Sequence, residues 1–207
     1  MRLQYPYDLP KLPYKFDSMQ PYMSEWTMKN HYEKNHKSYV TKTNGLIKDQ
    51  PQFQNIKLAM LLTMAKGKLF DESAQHFNHV LWWFSMRPPQ NNNIPPSQIM
   101  TMIIRDFGNF ENWKSDFISK AKSCFGSGWC WLCLDDGKLE NVTTSNAGIP
   151  NFVGGKKILL VCDLWEHAYF CDYTIDREKY LEGWFNCVNW QMAQIRLLGE
   201  DKIFNLY

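Results

Sequence analysis

Ten residues divide this chain. Arg87-Pro88-Pro89-Gln90-Asn91-Asn92-Asn93-Ile94-Pro95-Pro96 holds four prolines and three consecutive asparagines. Such a stretch can continue neither a helix nor a central strand, because proline lacks the backbone donor and asparagine favours turns. The sequence therefore predicts two domains, 1–87 and 97–207, joined by a linker at 88–96.

The two sides differ in texture. Residues 24–86 read as helical: Ser24 can cap a segment carrying Trp26, Tyr32 and Tyr39, and Leu69 to Met86 forms a second long segment that stops before Pro88. Between them, Pro51 interrupts the pattern and a short helix is expected at Ile56 to Ala65. This half is predicted to be an antiparallel helical hairpin. Beyond the linker, Ser97 to Asp106 and Glu111 to Cys124 read as helices. Trp129 to Leu134 and Leu139 to Thr144 flank the turn signal Asp135-Asp136-Gly137-Lys138, Lys157 to Cys162 supplies a third strand, and residues 177–198 return to helix. With no strand-helix alternation, the fold class is α+β: the hairpin followed by a C-terminal α/β domain with a small three-stranded antiparallel sheet.

Chemistry concentrates in Asp163-Leu164-Trp165-Glu166-His167-Ala168-Tyr169. Asp163 and His167 lie four apart just past a buried strand and can converge on one point. Carboxylate oxygen with imidazole nitrogen suits iron, manganese or zinc. The other four histidines, His31, His36, His76 and His79, all fall on the two long helices. A metal site built with Asp163 must then bridge the two halves. Cys130-Trp131-Leu132-Cys133 is a CxxC, but it reads as a strand, where residues three apart point to opposite faces. That works against a zinc or thiol-redox site.

Several function classes are disfavoured. The net charge of +2, from 23 basic and 21 acidic residues, makes no case for nucleic acid. The apolar runs Val80–Phe84 and Ile158–Cys162 fall far short of the roughly 20 residues that span a bilayer, so no membrane partner is expected. The start Met1-Arg2-Leu3-Gln4-Tyr5-Pro6 shows no secretory signal or presequence. Six cysteines in hydrophobic surroundings read as buried reduced thiols. A soluble intracellular protein is expected, in the cytoplasm or in an organelle such as the mitochondrion.

The motif at Asp163 to Tyr169 resembles the signature of the iron/manganese superoxide dismutases. Further motifs follow in family order: Tyr7-Asp8-Leu9-Pro10 in the amino-terminal arm, His31-Tyr32-Glu33-Lys34 with His36 and Tyr39, and Gln75-His76-Phe77-Asn78-His79. Phe125-Gly126-Ser127-Gly128-Trp129 and Val188-Asn189-Trp190 complete the series. The resemblance implies a ligand set of His31, His79, Asp163 and His167 around one iron ion per subunit, with room for a water and a small anion. It implies superoxide as substrate, dioxygen and hydrogen peroxide as products, and a homodimer.

Carried over by position, Tyr39 is the gateway tyrosine and Gln75 the residue that tunes bound solvent. Gln75 stands on the second helix, as in iron enzymes, while the sheet position of manganese enzymes holds Ala147. Manganese is the less expected metal. Trp129 and Trp131 match the aromatic wall, with Trp165 beside the ligands, and Glu166 matches the acid that reaches the partner subunit's ligand histidine. Tyr169 belongs to the same region, and His36 and Arg177 match further network positions. Three positions depart from the family. Asn35 replaces the gateway histidine, Phe170 replaces the tyrosine that bonds it across the dimer, and Trp82 replaces a tyrosine on the second helix. These departures support an alternative, a family-like metal-binding protein with weakened catalysis.

Overall fold

The computed structural model describes residues 4–151 and 154–201. The opening three residues, on which the reading of the amino terminus partly rests, and the last six of the predicted second domain lie outside them.

The first long helical segment has three parts: α1 (Glu25–Asn30), a π-helical stretch (His31–His36) and α2 (Lys37–Ile47). The Ser24 hydroxyl accepts from the Thr27 amide at 3.1 Å and caps α1 as expected. The π stretch was not foreseen. Its wider turn brings residues five apart onto one side, so His31 and His36 are both buried. Two short helices follow: α4 (Leu58–Met64) is the one expected within Ile56 to Ala65, and α3 (Pro51–Gln54), which begins at Pro51, was not expected. The long α5 (Gly67–Phe84) packs antiparallel to α2 and is buried from Ser73 to Trp83.

Residues 85–96 connect α5 to α6 (Ser97–Phe107), and they do so under constraint. The Asn93 side chain accepts from Arg87 at 2.8 Å and donates to the carbonyls of Phe185, Asn186 and Val188. A segment that reads as a spacer is thus tied to the C-terminal helices.

Helix α6 ends at Gly108, whose φ of 87° suits only glycine. The Asn109 side chain then caps α7 (Phe110–Ser123), accepting from the Asn112 amide at 2.7 Å. Strands β1 (Gly128–Asp135) and β2 (Lys138–Ser145) pair through a tight turn in which Asp136 and Gly137 both have positive φ. Strand β3 (Lys157–Asp163) pairs antiparallel on the other edge of β1, giving the order β2-β1-β3.

The ladder between β1 and β3 is regular except that Leu132 faces Leu160 while Cys133 faces Ile158. The extra residue is Leu159, and its carbonyl accepts from Arg196 at 3.0 Å. Arg196 is fully buried and also donates to Ser85 Oγ, Leu81 O and Asp201 Oδ2. It therefore joins α5 to β3, the two elements that carry His79 and Asp163.

After a short helix α8 (Phe170–Tyr173), the segment predicted as one helix at 177–198 is two: α9 (Arg177–Asn186) and α10 (Trp190–Leu197). The break has a reason. Residues 187–189 leave the helix to bond the chain beyond α5, through Arg87 N to Cys187 O and Asn189 N to Ser85 O, both at 2.8 Å. The Asn189 side chain then caps α10. Where α7 meets α9 and α10, Trp113, Phe117, Trp184, Phe185 and Trp190 pack as an aromatic core. No helix among the described residues is long and apolar enough to cross a membrane.

Candidate metal centre

Four side chains from four segments converge: His31 from the π stretch, His79 from α5, Asp163 at the end of β3, and His167 in the turn after it. One potential ligand atom from each lies within 4.8 Å of all the others, and it is the group of this kind found among the described residues. Asp163 Oδ2 lies 3.2 Å from His31 Nε2, 3.5 Å from His167 Nε2 and 3.7 Å from His79 Nε2.

None of these four atoms completes a hydrogen bond, and all are buried. Unsatisfied buried polar atoms cost about 1–3 kcal/mol each. Four aimed at one point are explained by a cation that accepts all of them. Three nitrogens and one carboxylate oxygen form a donor set suited to a first-row transition metal, so the residues fit the ion that the sequence predicts.

The neighbours fix the orientation of these donors. His79 Nδ1 lies 2.7 Å from Gln75 O, a carbonyl that can only accept, so Nδ1 carries the hydrogen and Nε2 presents a lone pair to the centre. The Trp165 amide donates to Asp163 Oδ1 at 2.8 Å, which turns Oδ2 inward. The Tyr180 hydroxyl donates to Asp163 O at 2.9 Å and anchors the strand end. Nothing in the sequence singled out Tyr180 within the helical stretch 177–198.

Electrostatics keep His31 and His79 in the ligating form. Burial, with neighbouring His167, lowers His31 from 6.5 to about 4. Burial, then His31, holds His79 well below the histidine range. Burial alone would raise the Asp163 carboxyl, but His167 and His31 outweigh it and hold the group below the usual carboxylate range. At neutral pH His31 and His79 are therefore neutral and Asp163 is an anion.

The remaining expected residues divide into two groups. Tyr39 lies against His79 with ring centroids 5.2 Å apart, Trp129 meets the same ring edge-on at 5.0 Å, and Trp165 stacks on His167 at 5.6 Å. Burial, then Asp163 and Glu72, raises the Tyr39 hydroxyl to about 12. Gln75 is buried with its Oε1 unpartnered. Asn78, in the amide orientation that pairs both its polar atoms, accepts from the Trp129 indole and donates to Ala74 O.

The second group lies outward. Glu166 and Phe170 are exposed, Asn35 is half-buried, and Tyr169 stacks on Tyr180 with its hydroxyl accepting from Arg177 at 3.3 Å. Trp82 packs on His31 at 4.5 Å, and its indole nitrogen is buried without a partner.

The CxxC thiols stay apart. Cys130 faces α7 and contacts Phe117 O, Cys133 neighbours Glu140 and Lys156, and all six cysteines are free. His36, which matches a network position, and His76, to which the sequence assigns no role, are buried beside the centre and bonded to each other.

Comparison with known proteins agrees with this geometry. Residues 6–87 match the alpha-hairpin domain of iron/manganese superoxide dismutases, and residues 95–196 match their C-terminal domain. The chain is 40% identical over 192 residues to an iron superoxide dismutase of Legionella pneumophila, covering 92% of this chain and 98% of that one. An iron superoxide dismutase of Plasmodium falciparum is 41% identical over 190 residues, 91% of this chain and 95% of its own. One from Entamoeba histolytica is 38% identical over 192 residues, 92% and 99%.

Proposed function

Because the chain belongs to the iron/manganese superoxide dismutase family, we propose that it is an iron-dependent superoxide dismutase, with His31, His79, Asp163 and His167 holding one iron per chain. The observation that carries this reading is the set of four orphaned, mutually facing donor atoms. Bound iron supplies a one-electron couple between its divalent and trivalent states, through which two superoxide anions and two protons become dioxygen and hydrogen peroxide.

The protein's own groups control ligand geometry and protons. Gln75 O and Trp165 N fix the orientations of His79 and Asp163. Tyr39 keeps its hydroxyl proton to about pH 12, so it acts as a hydrogen-bond donor at the approach to the centre. Gln75 offers a buried, unpartnered amide oxygen, and we assign it the tuning of solvent at the site. Iron is preferred over manganese because Gln75 stands on α5 and Ala147 on the sheet side. Trp129 and Trp165 wall the site.

We assign a homodimer built around Glu166, Tyr169, Phe170 and Asn35. Its support is the exposure of Phe125 (98%), Ile175 (86%) and Phe170 (46%), large apolar groups that association would cover, with Ile175 lining the same surface cleft as Glu166 and Tyr169. Residues 1–87 and 97–207 are read as the two domains, each supplying two ligands. Six free thiols fit a reducing compartment.

A second reading, a metal-binding relative with weakened catalysis, is favoured by Trp82, whose buried N–H has no partner where the family places a tyrosine hydroxyl. Reconstitution separates the two. Protein loaded with one iron per chain is expected to accelerate superoxide decay and to lose activity on treatment with peroxide. A fully loaded sample without activity overturns the first reading and leaves the second.

A further inference from the structure

We infer that His76 is a positioning residue of the metal centre: by accepting a hydrogen bond from His36, it locks the imidazole that stacks on His79. The inference rests on the assignment of His79 as a ligand.

The direction of each bond follows from donor chemistry. The Trp83 indole nitrogen can only donate, and it lies 2.9 Å from His36 Nδ1. That nitrogen must be bare. A neutral His36 then carries its hydrogen on Nε2, 2.8 Å from His76 Nδ1, which must accept. His76 in turn carries its hydrogen on Nε2. Each ring thus carries a single hydrogen, on its Nε2. The opposite tautomer of His36 would set its hydrogen against the indole hydrogen of Trp83.

This chain of three residues borders two of the four ligands. The His36 ring stacks on His79 at 5.2 Å and 22°, and Trp83 meets His31 edge-on at 4.9 Å. Two local features create it. The π stretch puts His31 and His36 on one side of their helix, and α5 places His76 one turn before His79. The Tyr7 ring closes the far side of His76, which is 1% exposed. His36 is therefore fixed in plane and tautomer from both ends, and its face sets the tilt available to His79.

The test separates hydrogen bonding from space filling. His76→Asn keeps an acceptor oxygen where Nδ1 stands, while His76→Leu fills the space without one. Two readouts are used: the indole and imidazole signals of Trp83 and His36 in nitrogen-15 NMR of the metal-free protein, and the affinity for Co2+ followed by its visible absorption. For His76→Leu the Trp83 signal is expected to shift and Co2+ affinity to fall by about tenfold, whereas His76→Asn stays within about twofold of wild type. Should the Leu variant not fold, His76→Gln serves, since its amide oxygen reaches the Nε2 position and leaves His36 unpaired. Unchanged affinity and signals in the Leu or Gln variant overturn the inference, as does an Asn variant as weak as either. A wild-type protein that binds no Co2+ overturns the ligand assignment itself, and is distinguished because Trp83 still reports the hydrogen-bonded chain.

Discussion

The backbone amide of Trp165 donates to Asp163 Oδ1 at 2.8 Å, and this single bond turns the other carboxylate oxygen toward three imidazoles. Asp163 thereby gathers the site, since each histidine approaches its Oδ2. Asp163→Ala is expected to abolish metal retention. Ligand binding raises stability by about 2.7 kcal/mol when free ligand is 100 times its dissociation constant. The wild-type protein should therefore melt several degrees higher with iron than after chelation. The variant should melt at one temperature in both conditions. Metal-dependent stabilisation of Asp163→Ala would remove it from the ligand set.

Gly128 begins β1 two residues after the positive-φ Gly126, and its place is set by close approach rather than by φ. A Cβ there would collide with the Thr144 carbonyl on β2 and with Cys124 Sγ at 2.8 Å. Gly128→Ala must push the two strands apart at the end nearest the site. Overpacking of this kind costs about 1–3 kcal/mol. A denaturant midpoint equal to wild type would show that β2 yields freely.

Arg196 and Asp201 form a buried pair whose arginine also holds Ser85, Leu81 and Leu159. Removing one partner of such a pair leaves a buried charge and costs about 3–5 kcal/mol. Arg196→Met should lose stability of that order. Because Arg196 ties α5 to β3, iron affinity should fall as well. A variant that loses stability while keeping full affinity would show that the site is held together without this clamp.

His76 ties stability to pH. Burial lowers it from 6.5 to about 3, and its partner His36 is lowered as well. The unfolded chain therefore binds protons that the folded chain refuses. The contribution to stability is full above pH 6.5 and is lost as pH falls toward about 3, at about 1.4 kcal/mol for each unit of separation. Asp163, held below the ordinary carboxylate range, keeps its full contribution until pH falls below 3.8, so the decline between pH 6.5 and 4 belongs to the imidazoles. Urea midpoints of the chelated protein should drop steadily between pH 6.5 and 4, and the drop should be shallower in His76→Asn. A flat profile over that interval would mean that the buried imidazoles accept protons without strain.

Legibility in the sequence followed the range of the cause. Ser24, the Asp136-Gly137 turn and the prolines at 88–89 act within a few residues, and the elements they bound stand where the pattern places them. The break at residues 187–189 was invisible because it is made by the chain beyond α5, about 100 residues away. The four proposed ligands were reached through motif resemblance; spacing alone singled out only Asp163 and His167. The pairing of His36 with His76 escaped for a related reason. A π stretch changes which residues share a side, and nothing in His31-Tyr32-Glu33-Lys34-Asn35-His36 announces that the helix will widen.

Asn35 and Phe170 carry the last prediction. Asn35 is half-buried on the π stretch, and Phe170 is 46% exposed beside Glu166. In the proposed dimer they replace a histidine and tyrosine that would bond across subunits. Restoring one alone places a polar group against an apolar or mismatched neighbour; restoring both supplies donor and acceptor together. The variants Asn35→His and Phe170→Tyr should therefore couple, with the double variant better than the sum of the singles by about 0.5–3 kcal/mol. The measurement is dimer dissociation together with turnover of the iron-loaded protein. Coupling in both places the pair at a subunit interface that opens onto the site. Strict additivity would show that the two positions do not meet, and would remove the support they lend to the dimer and to weakened catalysis.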